Sequence, residues 1–206
     1  NEIQNRKIIL DQLENVVIEI DGNLELMDKT ISISNSIINA NRSLANMIAS
    51  NDTLSSSRLS ELIEDSFAPI LNFQPSTSIL NEIIVSGNLR VLENERLRRL
   101  ILDFPSQLAV IHNQEAIHSE DQKLCTDYIL KHGDFKAVLD DTGASAAYLG
   151  VTKSDNRSGN QALLTSKEFE NQLLLFMSSG ISLRDSDYIP FRDYLEEVKM
   201  SIMEEL

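Results

Sequence analysis

An apolar residue returns at every seventh position through the first fifty residues. Ile3, Leu10, Val17, Leu24, Ile31, Ile38 and Ala45 form one line of the repeat, and Leu13, Ile20, Met27 and Ile48 sit three positions later. The spacing predicts one continuous helix over residues 2–49. At about 1.5 Å per residue it would be roughly 70 Å long, more than a compact globule of 206 residues requires, so a rod is expected. The seam turns polar at Ser34 and Asn41, which either set the register or face a thin stretch of the partner helix. Gly22 falls off the seam.

Four further helical stretches follow. Residues 57–68 carry Leu59, Leu62, Ile63 and Phe67 after a polar turn at Asn51–Ser57, and residues 77–86 carry Ile79, Leu80, Ile83 and Ile84 before a terminating Gly87. Pro69 and Pro75 bracket the break between them, so the two pieces make one return limb. Residues 94–132 start at a capping Asn94 and run to Gly133, with Pro105 expected to kink the helix near 101–105 or to divide it in two. Residues 134–164 weaken into Gly, Ala, Ser, Asp and Asn and read as a long connection with one or two helical turns. A capping box at Thr165 and Glu168 opens the last helix, 166–206, which Gly180 and Pro190 disturb near 180–190. No strand alternation competes. The predicted fold is an all-α, elongated, antiparallel up-down-up-down four-helix bundle, one domain over 1–206, with long first, third and fourth limbs, a broken second limb and both chain ends together.

With 32 acids against 18 bases the net charge is −14, which disfavours a large contact with nucleic-acid phosphates or anionic lipid. The excess is shared among the helices and is heaviest over 165–206, at nine acids to four bases. It solvates the bundle, and would hold the last helix off a bilayer surface. The single Cys125 excludes a disulfide framework and a multi-cysteine zinc site, and reads as a buried helical thiol. No apolar run reaches 18 residues. Asn1 in place of a starting Met is consistent with processing that removed a signal or anchor.

Few motifs suggest chemistry. Asp141-Thr142-Gly143 spells the aspartic-protease signature, but one copy in a helical chain is a turn. Glu115 and His118 have the Glu-x-x-His spacing of ferritin-like bundles, with His112 one turn earlier; a second pair is missing, and His132 lies on the same helix. Solvated or capping histidines are the plainer reading. Arg96, Arg98, Arg99 and the nearby Arg90 form a basic concentration interleaved with Glu93 and Glu95, an internally paired helix start. Three glycosylation sequons, beginning at Asn41, Asn51 and Asn156, arise easily in a chain rich in Asn and Ser. Ser145 lacks the flanking strand and second Gly of a nucleophile elbow. Neither catalytic residues, nor metal ligands, nor a cofactor site are assigned.

Two stretches carry a resemblance. Asn1-Glu2 through Asn5-Arg6-Lys7 is similar to the segment following the transmembrane helix in an uncharacterised family of membrane-anchored bacterial proteins. Phe73, Pro75, the run Leu80-Asn81-Glu82-Ile83-Ile84-Val85-Ser86-Gly87-Asn88-Leu89, and Asn94 to Leu102 resemble that family's central region. The resemblance implies one N-terminal transmembrane helix outside this sequence, a preceding basic segment, and a helical domain on the periplasmic side of the inner membrane. It transfers no functional residue.

The expectation is a non-enzymatic extracytoplasmic helical domain, sensor-like in architecture, that binds a small ligand or a protein partner and no nucleic acid. The candidate surface joins Asn51–Ser57 to the connection Asp134–Asn160, at the end of the rod opposite the termini. An ordered polar pocket there would favour sensing, a flat apolar patch would favour protein assembly, and an unused apolar stripe would indicate a homodimer. The alternative is a metal-binding or metal-dependent bundle using Glu115 and His118, with His112; the third is a scaffold with no ligand.

Overall fold

Apolar residues at helical spacing, bounded by capping residues, produce the helices of the chain. In the computed structural model residues 2–50 and 55–206 are described, so most of the turn expected at Asn51–Ser57 lies outside the described residues, as does the side chain of Ile3. Helix α1 spans Glu2–Ser50, α2 Ser56–Phe67, α3 Ser78–Ser86, α4 Glu95–His132, α5 Phe135–Asp141, α6 Ala144–Ala147, α7 Lys167–Ser182 and α8 Ile189–Glu205. Short 3₁₀ turns occupy Asn88–Val91 and Gln161–Thr165, and a π-helical segment, Leu183–Tyr188, joins α7 to α8. The described residues are all-α, with no strand among them. None of their helices is long and apolar enough to cross a membrane.

The ends follow local chemistry. Asn94 Oδ1 accepts the Leu97 N–H at 3.0 Å, and Gly87 closes α3 at φ 71°, as expected. The start of α7 differs by one residue: Ser166, not Thr165, caps it, accepting the Phe169 N–H at 3.2 Å. Pro105 does not split α4, which runs unbroken from 95 to 132; the helix gives up only the bond to the Ile101 carbonyl, while Ile101 and Phe104 stay buried beside it. The disturbance expected near 180–190 is the π segment. Pro190 has no N–H for an i−4 bond, and the wider turns before it absorb the mismatch while keeping Tyr188 fully buried.

One line of the expected α1 seam holds, with Leu13, Ile20, Met27, Ser34 and Asn41 all buried, and the other lies one residue earlier than the heptad line suggested. The line of buried residues runs through Ile9, Leu13, Val16, Ile20, Asn23, Met27, Thr30, Ser34, Ile37, Asn41 and Leu44, spaced alternately four and three, with Glu19, Leu24, Ile38, Ala40 and Met47 also buried. Leu10, Val17 and Ile31 lie at its half-buried edge. The centre line passes through Asn23 and Thr30, polar residues that a search for apolar repeats skips.

Contacts group the chain into two compact units, Asn1–Ile31 with Asn72–Gln114 and Arg184–Leu206, and Ser32–Leu71 with Glu115–Leu183. In the first unit Phe191 meets Phe73 and Phe104 with ring centroids 5.8 and 5.9 Å apart, and Leu13, Ile20, Leu80, Leu97 and Ile101 are fully buried in the same unit. Each fully buried side chain of this kind contributes about 1.5–3 kcal/mol. Polar contacts edge this core: Arg192 pairs with Asp28 and Lys199 with Asp21, at 2.6 and 2.7 Å. In the second unit Phe67 lies 6.3 Å from Phe169 and 5.7 Å from Phe176, α2 packs on α5, and Cys125 is buried, where burial, and then the Asp121 charge, push its thiol up to about 12.

Candidate functional site

The connection between α4 and α7 is built around three aspartates of the second unit. Asp134 caps α5, its Oδ1 accepting the Ala137 N–H at 2.9 Å, while Oδ2 accepts the N–H and hydroxyl of Ser158 at 2.9 and 3.2 Å. Burial alone would raise this carboxyl, but the bonds from Ala137, Ser158 and Gly159 outweigh it and hold it below the usual range. Asn160, buried, accepts the Asp134 N–H at 2.7 Å and donates back to the Asp134 carbonyl at 3.1 Å. That approach requires Gly133: a Cβ there would lie 2.7 Å from Asn160 Oδ1 and 2.8 Å from the Ile129 carbonyl.

Asp140 is wholly buried. It pairs with Lys136 and accepts the Ser154 N–H at 2.9 Å; hydrogen bonds from Lys136, then Ser145, then Ser154, hold its carboxyl far below the usual range against the opposing effect of burial. Lys136 also donates to Ser145 Oγ at 3.1 Å and to the Thr152 carbonyl at 2.9 Å. A Ser–Lys pair is thus present, but the lysine is tied to Asp140 and Ser145 is 1% exposed, so the hydroxyl has neither a free base nor access to a substrate. Asp141, the aspartate of the Asp-Thr-Gly triplet, accepts from Ser60 and Ser56 at 2.9 and 3.3 Å and from Arg157 at 2.6 Å. Gly143 follows at φ 83° and starts α6. The triplet is a turn, and the connection contains more helix than the one or two turns expected of it.

Where α2, α4 and α5 meet, a cleft of about 290 Å³ opens. Ile63, Phe67 and Ala68 form one wall, Ile129 and Leu130 the second, and Phe135, Val138 and Leu139 the third; Glu64 and Thr126 are its polar members. Leu130 and Phe135 remain 60% and 46% exposed. The amphipathic pattern of α2 buries Leu59, Leu62, Ile63 and Phe67, and Asp134 fixes where α5 starts, which sets Phe135, Val138 and Leu139 against that face.

The histidines are placed separately. His118 is 3% exposed, stacked on Phe176 at 4.5 Å, with Nδ1 3.0 Å from the Ser179 hydroxyl. That hydroxyl donates to the Phe176 carbonyl at 3.1 Å, which assigns the proton to His118 Nδ1. Burial lowers its pKa to about 4, with Asp121 opposing, so the ring is neutral near pH 7. Glu115 is buried in the same unit. His112 belongs to the other unit, where Nε2 donates to the Phe73 carbonyl at 3.1 Å, and His132 lies 4.5 Å from the Tyr128 ring. Among the described residues no group of three or more His, Cys, Asp or Glu is placed to hold a metal. Of the basic concentration, Arg96 binds Glu197 at 2.7 Å, Arg98 meets Glu95 at 3.7 Å and Arg99 donates to the Glu95 carbonyl.

Sequence reasoning marked the connection, but not the cleft. Leu130 sits off the apolar stripe of α4 and Ala68 just past the end of α2, and nothing in their local pattern signals that both line one cleft. No family model, curated protein or solved structure matches the chain.

Proposed function

We propose that this protein is a non-enzymatic, ligand-binding helical domain, and that the cleft between α2, α4 and α5 takes a small apolar molecule. The cleft is the observation that carries the reading. A cavity of about 150 Å³ suffices for benzene, so one of 290 Å³ suits a short alkyl chain or a two-ring compound, and predominantly apolar walls with few polar groups are the usual make-up of a ligand site. Against an enzyme stand the committed hydrogen bonds of Asp140, Asp141 and Lys136.

The reading includes the alternating four-limb bundle. It is supported in the first unit by α3 descending along α1, with Glu19 beside Leu80 and Gln12 beside Glu82. Arg6 meets both Glu93 and Glu205, and α8 runs against α4, with Glu197 beside Arg96 and Tyr194 donating to the Leu100 carbonyl. The reading also includes placement on the periplasmic side of a bacterial inner membrane, as part of a membrane-anchored protein; the similarity of Asn1–Lys7 and of Phe73–Leu102 to the membrane-anchored family supports it.

The test is thermal unfolding with and without n-hexanol. A ligand that binds only the folded state raises Tm with concentration. The alcohol is expected to raise Tm of the native protein and to lose that effect in Ala68→Trp, which plugs the cleft from its exposed rim; an unchanged Tm in the native protein would overturn the reading.

A further inference from the structure

Both polar groups of the cleft present acceptors. Thr126 Oγ1 spends its proton on the Lys123 carbonyl at 3.0 Å, so towards a ligand in the cleft it can only accept. Glu64 is half-buried, and among the described residues no cation pairs with its carboxylate, whereas its neighbours Glu61 and Asp141 are engaged by Arg58 and Arg157. No Lys, Arg or His lines the cleft. Glu64 also sits in the last turn of α2, whose C-terminal end carries partial negative charge and favours a cation. An anionic head group would face this carboxylate with nothing to neutralise it, and a neutral acceptor would find no donor.

Resting on the reading of the cleft as a ligand site, we infer that its ligand is a hydrophobic amine: an apolar body of short-chain or ring size seated between Phe67, Ile129 and Val138, with a primary ammonium donating to Glu64 and Thr126. Partial burial makes the charge pair stronger than an exposed one, because less water screens it, and charge complementarity then selects the head group where the apolar walls cannot.

Isothermal titration of the full chain with n-hexylammonium, n-hexanol and n-hexanoate tests the assignment, since the three share a body and differ in head group. Hexylammonium is expected to bind about tenfold more tightly than hexanol, with hexanoate weakest, and the preference to shrink as salt rises. Glu64→Gln should abolish the preference, amine and alcohol then binding that variant equally; Asp65→Asn, an exposed neighbour outside the cleft, should keep it. Equal binding of alcohol and amine would overturn the inference and leave the cleft reading standing. A preference that survives Glu64→Gln would trace it to the overall negative charge and also overturn the inference. Failure of all three to bind would remove both.

Discussion

Glu19 of α1 holds the backbone of Leu80 in α3: Oε2 accepts the Leu80 N–H at 2.9 Å, while Oε1 accepts the Ile79 N–H at 3.1 Å and the Ser76 hydroxyl at 2.7 Å. Thr77, at the start of α3, makes no side-chain cap of its own. A carboxylate from another helix therefore supplies the acceptors that the first N–H groups of α3 lack, and its charge complements the positive end of that helix. One turn on, Asn23 exchanges two 2.8 Å bonds with the Ser76 backbone. These contacts fix where the chain turns back along α1.

Replacing this carboxylate should therefore be costly. Glu19→Gln leaves a single acceptor for three donors and turns an amide NH₂ towards N–H groups, so a loss of about 1–3 kcal/mol is expected. Urea unfolding measures it; an unchanged midpoint would show that α3 is held by its apolar face alone.

Asn41 should behave in the opposite way. It is fully buried, and neither its amide nitrogen nor its oxygen has a protein partner, like the Ser34 hydroxyl a heptad earlier. An unpaired buried polar group costs about 1–3 kcal/mol, so Asn41→Leu is expected to stabilise the chain by roughly 1–2 kcal/mol, whereas Asn23→Leu, which breaks two satisfied bonds, should destabilise it. A loss of stability in Asn41→Leu would show that the amide contributes a bond this geometry does not contain. A gain in stability with poorer NMR dispersion would mark Asn41 as a register-setting residue.

The buried His118 gives stability a pH dependence. Its folded pKa, about 4, lies below the value of about 6.5 in an unfolded chain, so the unfolded state binds the proton first as pH falls. The contribution is whole above about pH 6.5 and declines towards pH 4, reaching a loss of about 2 kcal/mol at pH 5. His118→Gln should flatten that part of the profile, measured as urea stability at pH 7 and pH 5. Parallel profiles for the two proteins would contradict the account. Room around the ring is limited, since a Cβ at Gly180 would lie 3.0 Å from His118 Cε1.

The all-helical class was legible in the periodicity, as were the caps at Asn94 and Gly87, because each rests on residues near in sequence. The true seam of α1 was less so. Asn23 and Glu19 face inward because Ser76, Ile79 and Leu80 supply their partners, more than fifty residues away, and no local pattern announces such a pairing. The same holds at the connection, where an Asp134 oxygen is committed to the N–H of Ser158, twenty-four residues on. Glu115 and His118 stood out by spacing alone. Distance in sequence, not in space, made the cleft invisible: its walls come from the stretches 63–68, 126–130 and 135–139.

Methyl-resolved NMR during a titration with n-hexanol tests the central claim most directly. The account expects saturable shifts at the methyls of Ile63, Ile129, Leu130, Val138 and Leu139, with exposed Ile18, Ile70 and Val85 unmoved. Shifts spread evenly over the exposed methyls, or none at the five cleft residues, would contradict it.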